Sequence, residues 1–278
     1  MSDTVENYPI INIPFLYKYG LTIQNSTVSP LTNLSILAGT CRDSNDVVDI
    51  RFGDLNPNIN GVTTTAPVRI DNTITGAGGL DQGVVLANNM YAIFIISDSR
   101  GYLPISAVAT VALYLFAVPP FPIMPAGYDS KRLIGFWATD SNKFWLKGYY
   151  YGLGNDLVFT YDAPQPTTIT AGSSNSYVSV NLFNLVTQNY NSPASIYTVF
   201  NPGLAGDTLT LASGSSSAVG GQITITGQAS GVNMTTISSV VVQRDYFPPF
   251  PLPLPSIQYK VSGTDSVAIY VAGFSVSV

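Results

Sequence analysis

The chain has 278 residues, no histidine, one cysteine, 10 % charged residues, a formal net charge of −5 and a mean hydropathy of +0.25. Without histidine it lacks the side chain best suited to proton transfer at neutral pH and the commonest metal ligand, so catalysis would fall to carboxylates or a lysine. One cysteine excludes an intramolecular disulfide, and eleven basic residues set against sixteen acidic ones argue against a nucleic-acid surface, whose affinity rests on Lys and Arg neutralising phosphates.

In chain order, the opening MSDTVENYPI has neither the basic nor the apolar region of a signal peptide. Residues 1–20 carry Pro9 and Pro14 among Ile, Phe and Tyr and read as an extended apolar arm. Its Tyr8, Ile10, Ile11, Ile13, Phe15 and Tyr17 are the expected docking residues. Strands are predicted over Leu21–Ile23, Val47–Phe52, Met90–Ser97, Val108–Val118, Arg132–Ala138 and Leu157–Tyr161, where β-branched and aromatic residues sit between Gly, Pro, Asn and Ser.

Between the first two, CRDSNDVVDIRFGD gathers Asp43, Asp46, Asp49 and Asp54 but departs from a calcium loop, with Val47 at a ligand place and no glycine at the turn. It reads as a turn whose Asp and Asn side chains bond local amides. Cys41 beside it reads as a small buried hydrophobe. GAGGLDQG lacks the GK[ST] ending of a phosphate loop and reads as a tight turn. Leu103–Pro122 is apolar, yet Pro104, Pro119 and Pro120 leave it short of a bilayer span, so a buried strand is expected there and no membrane segment. GFWATDSNKFWLKGYYYG concentrates Trp137, Phe144, Trp145, Tyr149, Tyr150 and Tyr151, which serve as core, as a subunit seam, as another partner's interface or as sugar-stacking faces.

YDAPQPTTITAG, Asp162–Gly172, marks a division, giving an arm (1–20), a first unit (21–163) and a second (164–278). The second unit is predicted to hold strands at Tyr177–Leu182, Leu209–Leu211, Gln222–Thr226, Ile237–Gln243, Ile257–Val261 and Val267–Val278. RDYFPPFPLPLPS, Arg244–Ser256, reads as a stiff extended connection of polyproline character. In the last strand Val267, Ile269 and Val271 share one parity while Phe274, Val276 and Val278 share the other, which predicts a β-bulge near Gly273. No sustained 3.6-residue period appears, so the fold class is all-β, with two β-sandwich, jelly-roll-like units behind the arm.

The order AGTCRDSNDVVDI (Ala38–Ile50), GGLDQG (Gly78–Gly83), MYAIFIISDSRG (Met90–Gly101) and PIMPAGYDSKRLIGFWATD (Pro122–Asp140) resembles a recurring module of tailed-bacteriophage and related viral structural proteins. The resemblance spans about Leu21–Ala163 and rests on Gly-Gly-Leu-Asp combined with the later GYDxxRxIG block; the closing IQYKVSGTDSVAIYVAGFSVSV is similar to the terminal hairpin of such proteins. It implies a β-sandwich without catalytic residues or cofactor, made in the host cytoplasm, assembled as a homotrimer and carried on the virion. There it decorates or cements the capsid, or projects from the tail, against capsid or tail proteins of the same particle. The apolar Ala107–Val118 and the Pro-rich Arg244–Ser256 depart from that pattern and leave its place on the particle open. The alternatives are a tail-fibre module that binds a host receptor or surface glycan and, less in keeping with the lack of a repeated coil, a glycosidase or polysaccharide lyase built from carboxylates or tyrosines.

Overall fold

Alternation of apolar and polar side chains sets the architecture of the computed structural model, which describes residues 17–53, 67–112, 121–153, 156–167, 169–186, 193–215, 218–246 and 253–277. Among these residues there is no helix, and hence none long and apolar enough to cross a membrane. The described residues hold twenty strands in four sheets. They are β1 (Lys18–Gly20), β2 (Ile23–Asn25), β3 (Asn33–Ile36), β4 (Gly39–Arg42), β5 (Asp49–Phe52), β6 (Val68–Asp71), β7 (Gly79–Leu80), β8 (Met90–Ser97), β9 (Ser106–Val111) and β10 (Ser130–Ala138). There follow β11 (Gly148–Leu153), β12 (Asp156–Pro166), β13 (Val178–Asn181), β14 (Pro193–Asn201), β15 (Thr208–Ser215), β16 (Ala218–Thr226), β17 (Met234–Val241), β18 (Gln243–Tyr246), β19 (Pro253–Val261) and β20 (Ser266–Ser277). The all-β class with sandwich units stands as expected.

The largest sheet has eight strands in the order β17-β14-β20-β12-β11-β2-β3-β6. A four-stranded sheet, β10-β8-β9-β7, packs against its first-half strands: Trp137 of β10 meets Phe159 of β12 edge-on at 4.8 Å between ring centres, and Tyr150 of β11 at 5.9 Å. β13-β19-β15-β16, with β18 also on β19, forms the third sheet, and β1-β4-β5 the fourth. β8 is buried at every position, which explains its unbroken apolar run MYAIFII: a strand covered on both faces has no polar side to alternate.

The division expected at Asp162–Gly172 does not interrupt this sheet. β12 runs to Pro166 and pairs with β20 on both sides of Pro164, so strands from both expected units belong to one sheet. The prolines leave their mark as an irregularity: pairing stops after Thr160↔Gly273 and resumes at Gln165↔Val271. The aromatic core crosses the same line, since Phe159 stacks on Phe274 at 5.1 Å and meets Tyr161 edge-on at 4.7 Å.

The expected switch of face in β20 is present. Ser195 of β14 pairs with Gly273 and Ile196 with Val271, leaving Ala272 as the extra residue; Val267, Ile269 and Val271 are buried before it and Phe274 and Val276 after it. Two expectations shift. Lys18–Gly20 of the arm form β1, paired with β4, while residues 1–16 lie outside the described residues. The Pro-rich segment is not only a connection, because Gln243–Tyr246 pair with Pro253–Ser256 as an antiparallel ladder. Of the apolar Leu103–Pro122, Ser106–Val111 form the buried strand β9 and residues 113–120 lie outside the described residues.

Candidate functional site

The segment GYYYG is a strand, and a strand turns alternate side chains to opposite faces. β11 therefore sends Tyr150 inward, 6 % exposed, and Tyr149 and Tyr151 outward, 49 % and 53 % exposed. The two outer rings lie side by side, centres 6.2 Å apart and planes tilted by 41°. Across the ladder Tyr149 faces Thr160 and Gln24, and Tyr151 faces Val158, so small or polar neighbours leave the rings standing above the sheet. Tyr19, on β1, is also exposed and shares with Tyr151 the lining of a hollow of about 360 Å³ whose inner residues include Lys18, Ile134 and Tyr150.

The other expected contact residues lie elsewhere. Trp137 and Trp145 are fully buried, with indole N–H groups donating to Leu146 O at 2.8 Å and Thr32 O at 2.9 Å, and Trp145 packs edge-on against Tyr91 at 5.3 Å. With Tyr150 they are core of this chain: the β11 alternation turns Tyr150 inward, Trp137 lies on β10, buried along nearly its whole length, and Trp145 is held inside by its bridge to Thr139. Phe144 is half-buried in a turn, its N–H donating to Asp140 Oδ1 at 2.8 Å. Tyr17 is half-buried, its carbonyl accepting from Arg42 N at 3.0 Å. Tyr8, Ile10, Ile11, Ile13 and Phe15 lie outside the described residues.

The acidic residues act locally. Asp43 Oδ1 accepts the amides of Val47 at 2.7 Å and Val48 at 2.9 Å, closing the β4–β5 turn as its sequence suggests. Asp98 binds the amides of Arg100 and Tyr102, Asp129 that of Ser99, and Asp140 those of Asn142 and Phe144. Among the described residues no three His, Cys, Asp or Glu side chains gather to hold a metal ion. Cys41 is fully buried, and burial pushes its thiol up to about 12, which leaves it protonated and unreactive at neutral pH.

Two cationic side chains are buried where β1 and β4 meet β10, a feature the sequence does not signal. Lys18 pairs with Cys41 across the ladder and its Nζ donates to Ile134 O at 3.4 Å; Arg132 is likewise buried. Desolvation, reinforced by the Arg132 charge, lowers the lysine to about 8. Of the basic residues that cluster at Lys131 and Arg132 in sequence, only Lys131 is turned toward the surface, where it lies 5.2 Å from the Phe121 ring centre.

No family model matches the chain, and no curated protein matches it. Solved structures of a family 29 carbohydrate-binding module do match: three point variants, at 17 %, 18 % and 17 % identity, one complexed with mannohexaose. Each covers 48 % of this chain and 76 %, 76 % and 75 % of the module, with a TM-score of 0.20. That superposition is too loose to carry an argument about fold or ligand.

Proposed function

We propose that the chain is a non-catalytic recognition protein of the tailed-virus particle type, and that Tyr149 and Tyr151 are its contact with a saccharide on the host surface. The observation that carries this reading is the pair of half-exposed phenol rings on one face of β11. A pyranose presents weakly positive C–H bonds on its faces and hydroxyls at its rim. An aromatic face is weakly negative and a phenol adds one polar tip, so tyrosine matches both at little entropic cost. The viral setting is supported by the Ala38–Asp140 motif order alone.

The test is binding of the full chain to a glycan array. Binding that is lost in Tyr149→Ala and Tyr151→Ala, retained in the Tyr→Phe forms, and accompanied by unchanged thermal melts is the expected result. A silent array, or binding indifferent to both alanine variants, defeats the reading.

A second reading, assembly into a trimer on a capsid or tail, is favoured by a different observation. With 10 % charged residues and a mean hydropathy of +0.25 the chain has few charges to solvate a free subunit, and packing against other copies or a particle protein would bury exposed apolar side chains such as Val28 and Val47, each 76 % exposed. Light scattering near three times 29.6 kDa supports that reading, and a monomer at the same concentration removes it.

A further inference from the structure

A cleft of about 460 Å³ opens where the end of β12 meets three turns. Its polar wall comes from Asn88 ahead of β8, Asp140 after β10, Gln165 of β12, Asn181 at the end of β13, and Asn184 just beyond; Phe183 adds an aromatic face. Asn88 and Asp140 flank strands of the four-stranded sheet, Gln165 belongs to the eight-stranded sheet and Asn181 to the sheet of β13 and β19, so the cleft forms only where three sheets meet.

Among the described residues the lining contains four carboxamides and one carboxylate, and no Lys or Arg. A carboxamide offers a donor and an acceptor in one plane, which suits two neighbouring hydroxyls of a sugar, each itself donor and acceptor. A phosphorylated or carboxylated ligand would lose its hydration without meeting a cation and would face Asp140. The volume lies within the usual range for small-ligand clefts.

Several of these groups are held in place. Asn181 Oδ1 accepts the Phe183 amide at 2.7 Å, and Asp140 Oδ1 accepts the amides of Asn142 and Phe144, both at 2.8 Å. Asn184 has a left-handed backbone, φ 71°, and its Oδ1 is buried with no hydrogen-bond partner among the described residues.

We propose that this cleft binds the end of a neutral saccharide chain. The inference rests on the saccharide reading for its class of ligand, but the cleft shares no lining residue with the tyrosine face. The experiment uses the full chain on an array of neutral hexose and N-acetylhexosamine oligomers printed beside sialylated and uronate-containing ones, with calorimetry of each hit. Gln165→Ala removes a half-buried side chain, and Asn184→Gly removes the carboxamide while keeping the left-handed turn accessible. Each is expected to weaken binding about tenfold, the scale of one well-placed hydrogen bond, with thermal melts confirming the fold. Loss in these variants with Tyr149→Ala and Tyr151→Ala unaffected keeps the cleft and defeats the tyrosine reading. Loss in the tyrosine variants alone, or binding confined to acidic glycans, overturns the cleft and leaves the tyrosine face. A silent array overturns both.

Discussion

Tyr150 Oη donates to the carbonyl of Phe136 at 2.6 Å and accepts the amide of the same residue at 2.7 Å. β10 is the edge of the four-stranded sheet, so Phe136 has no strand neighbour on that side, and one phenol from β11 takes that neighbour's place. Three further carbonyls of this edge are engaged: Lys131 O accepts from Ser44 N at 2.7 Å, Ile134 O from Lys18 Nζ, and Ala138 O from Leu146 N at 2.9 Å. An edge strand with its polar groups engaged is a poor template for aggregation.

Tyr150→Phe keeps the ring but leaves the Phe136 N–H and C=O without their partner. The expected loss is about 1–3 kcal/mol per buried group left unpaired, read as a lower urea midpoint at unchanged slope. A midpoint equal to wild type would show that water or β10 itself supplies the missing bonds.

Gly273→Ala tests the junction of β12 and β20. A Cβ there would stand 2.1 Å from Phe159 O, a backbone atom that cannot rotate away. The expected cost exceeds the roughly 1–3 kcal/mol of ordinary overpacking, since the ladder itself must shift. Chemical denaturation that places the variant within about 1 kcal/mol of wild type contradicts this geometry.

Lys18 predicts a pH dependence. The folded chain releases the ammonium proton near 8, whereas the unfolded chain holds it to about the usual 10.5. Between those values the unfolded state binds more protons, so stability rises with pH; below about 8 both states are protonated and the cost of burying the charge stands in full. Lys18→Met is therefore expected to be more stable than wild type at neutral pH and to flatten that rise. The buried Cys41 thiol, raised from 9.0 to about 12, acts oppositely above pH 9, so the check is the difference in urea midpoint between Lys18→Met and wild type, which should shrink as pH rises from 8; a constant difference refutes it.

Asp265 runs the other way. Its buried carboxyl accepts Gly203 N at 2.7 Å, and burial followed by the neighbouring Asp207 raises it above the usual 3.8. From 3.8 up to its raised value the folded state holds the proton that the unfolded state has lost, so stability falls as pH rises through that window. Asp265→Asn keeps an acceptor for Gly203 and removes the charge. It is expected to melt higher than wild type at neutral pH, with the difference shrinking toward acid. Equal melting temperatures at both ends would show that the two carboxyls do not interact.

Much of the fold was legible in the residues. The apolar run of β8, the turn chemistry of Asp43 and the change of parity at Gly273 are local patterns with local causes, and each marks its feature at the right place. β14 is absent from the predicted strands although Ala194, Ile196, Thr198 and Phe200 alternate with less buried residues; Pro193 opens it and Asn201-Pro202 close it, residues that favour loops. GYYYG was read as an aromatic block when its alternation already separates Tyr150 from Tyr149 and Tyr151.

Composition and alternation alone determined an all-β chain without histidine chemistry, its turns and its bulge, since those depend on neighbours in sequence. Only the tertiary structure decided that β12 continues past Pro164 into a sheet shared with β20, that Trp137 and Trp145 are core, and that Gln165 and Asn184 face one cleft with Asp140. Those outcomes hang on pairing between segments far apart in the chain, whose register is fixed by which buried faces fit, and no short window of sequence carries that information.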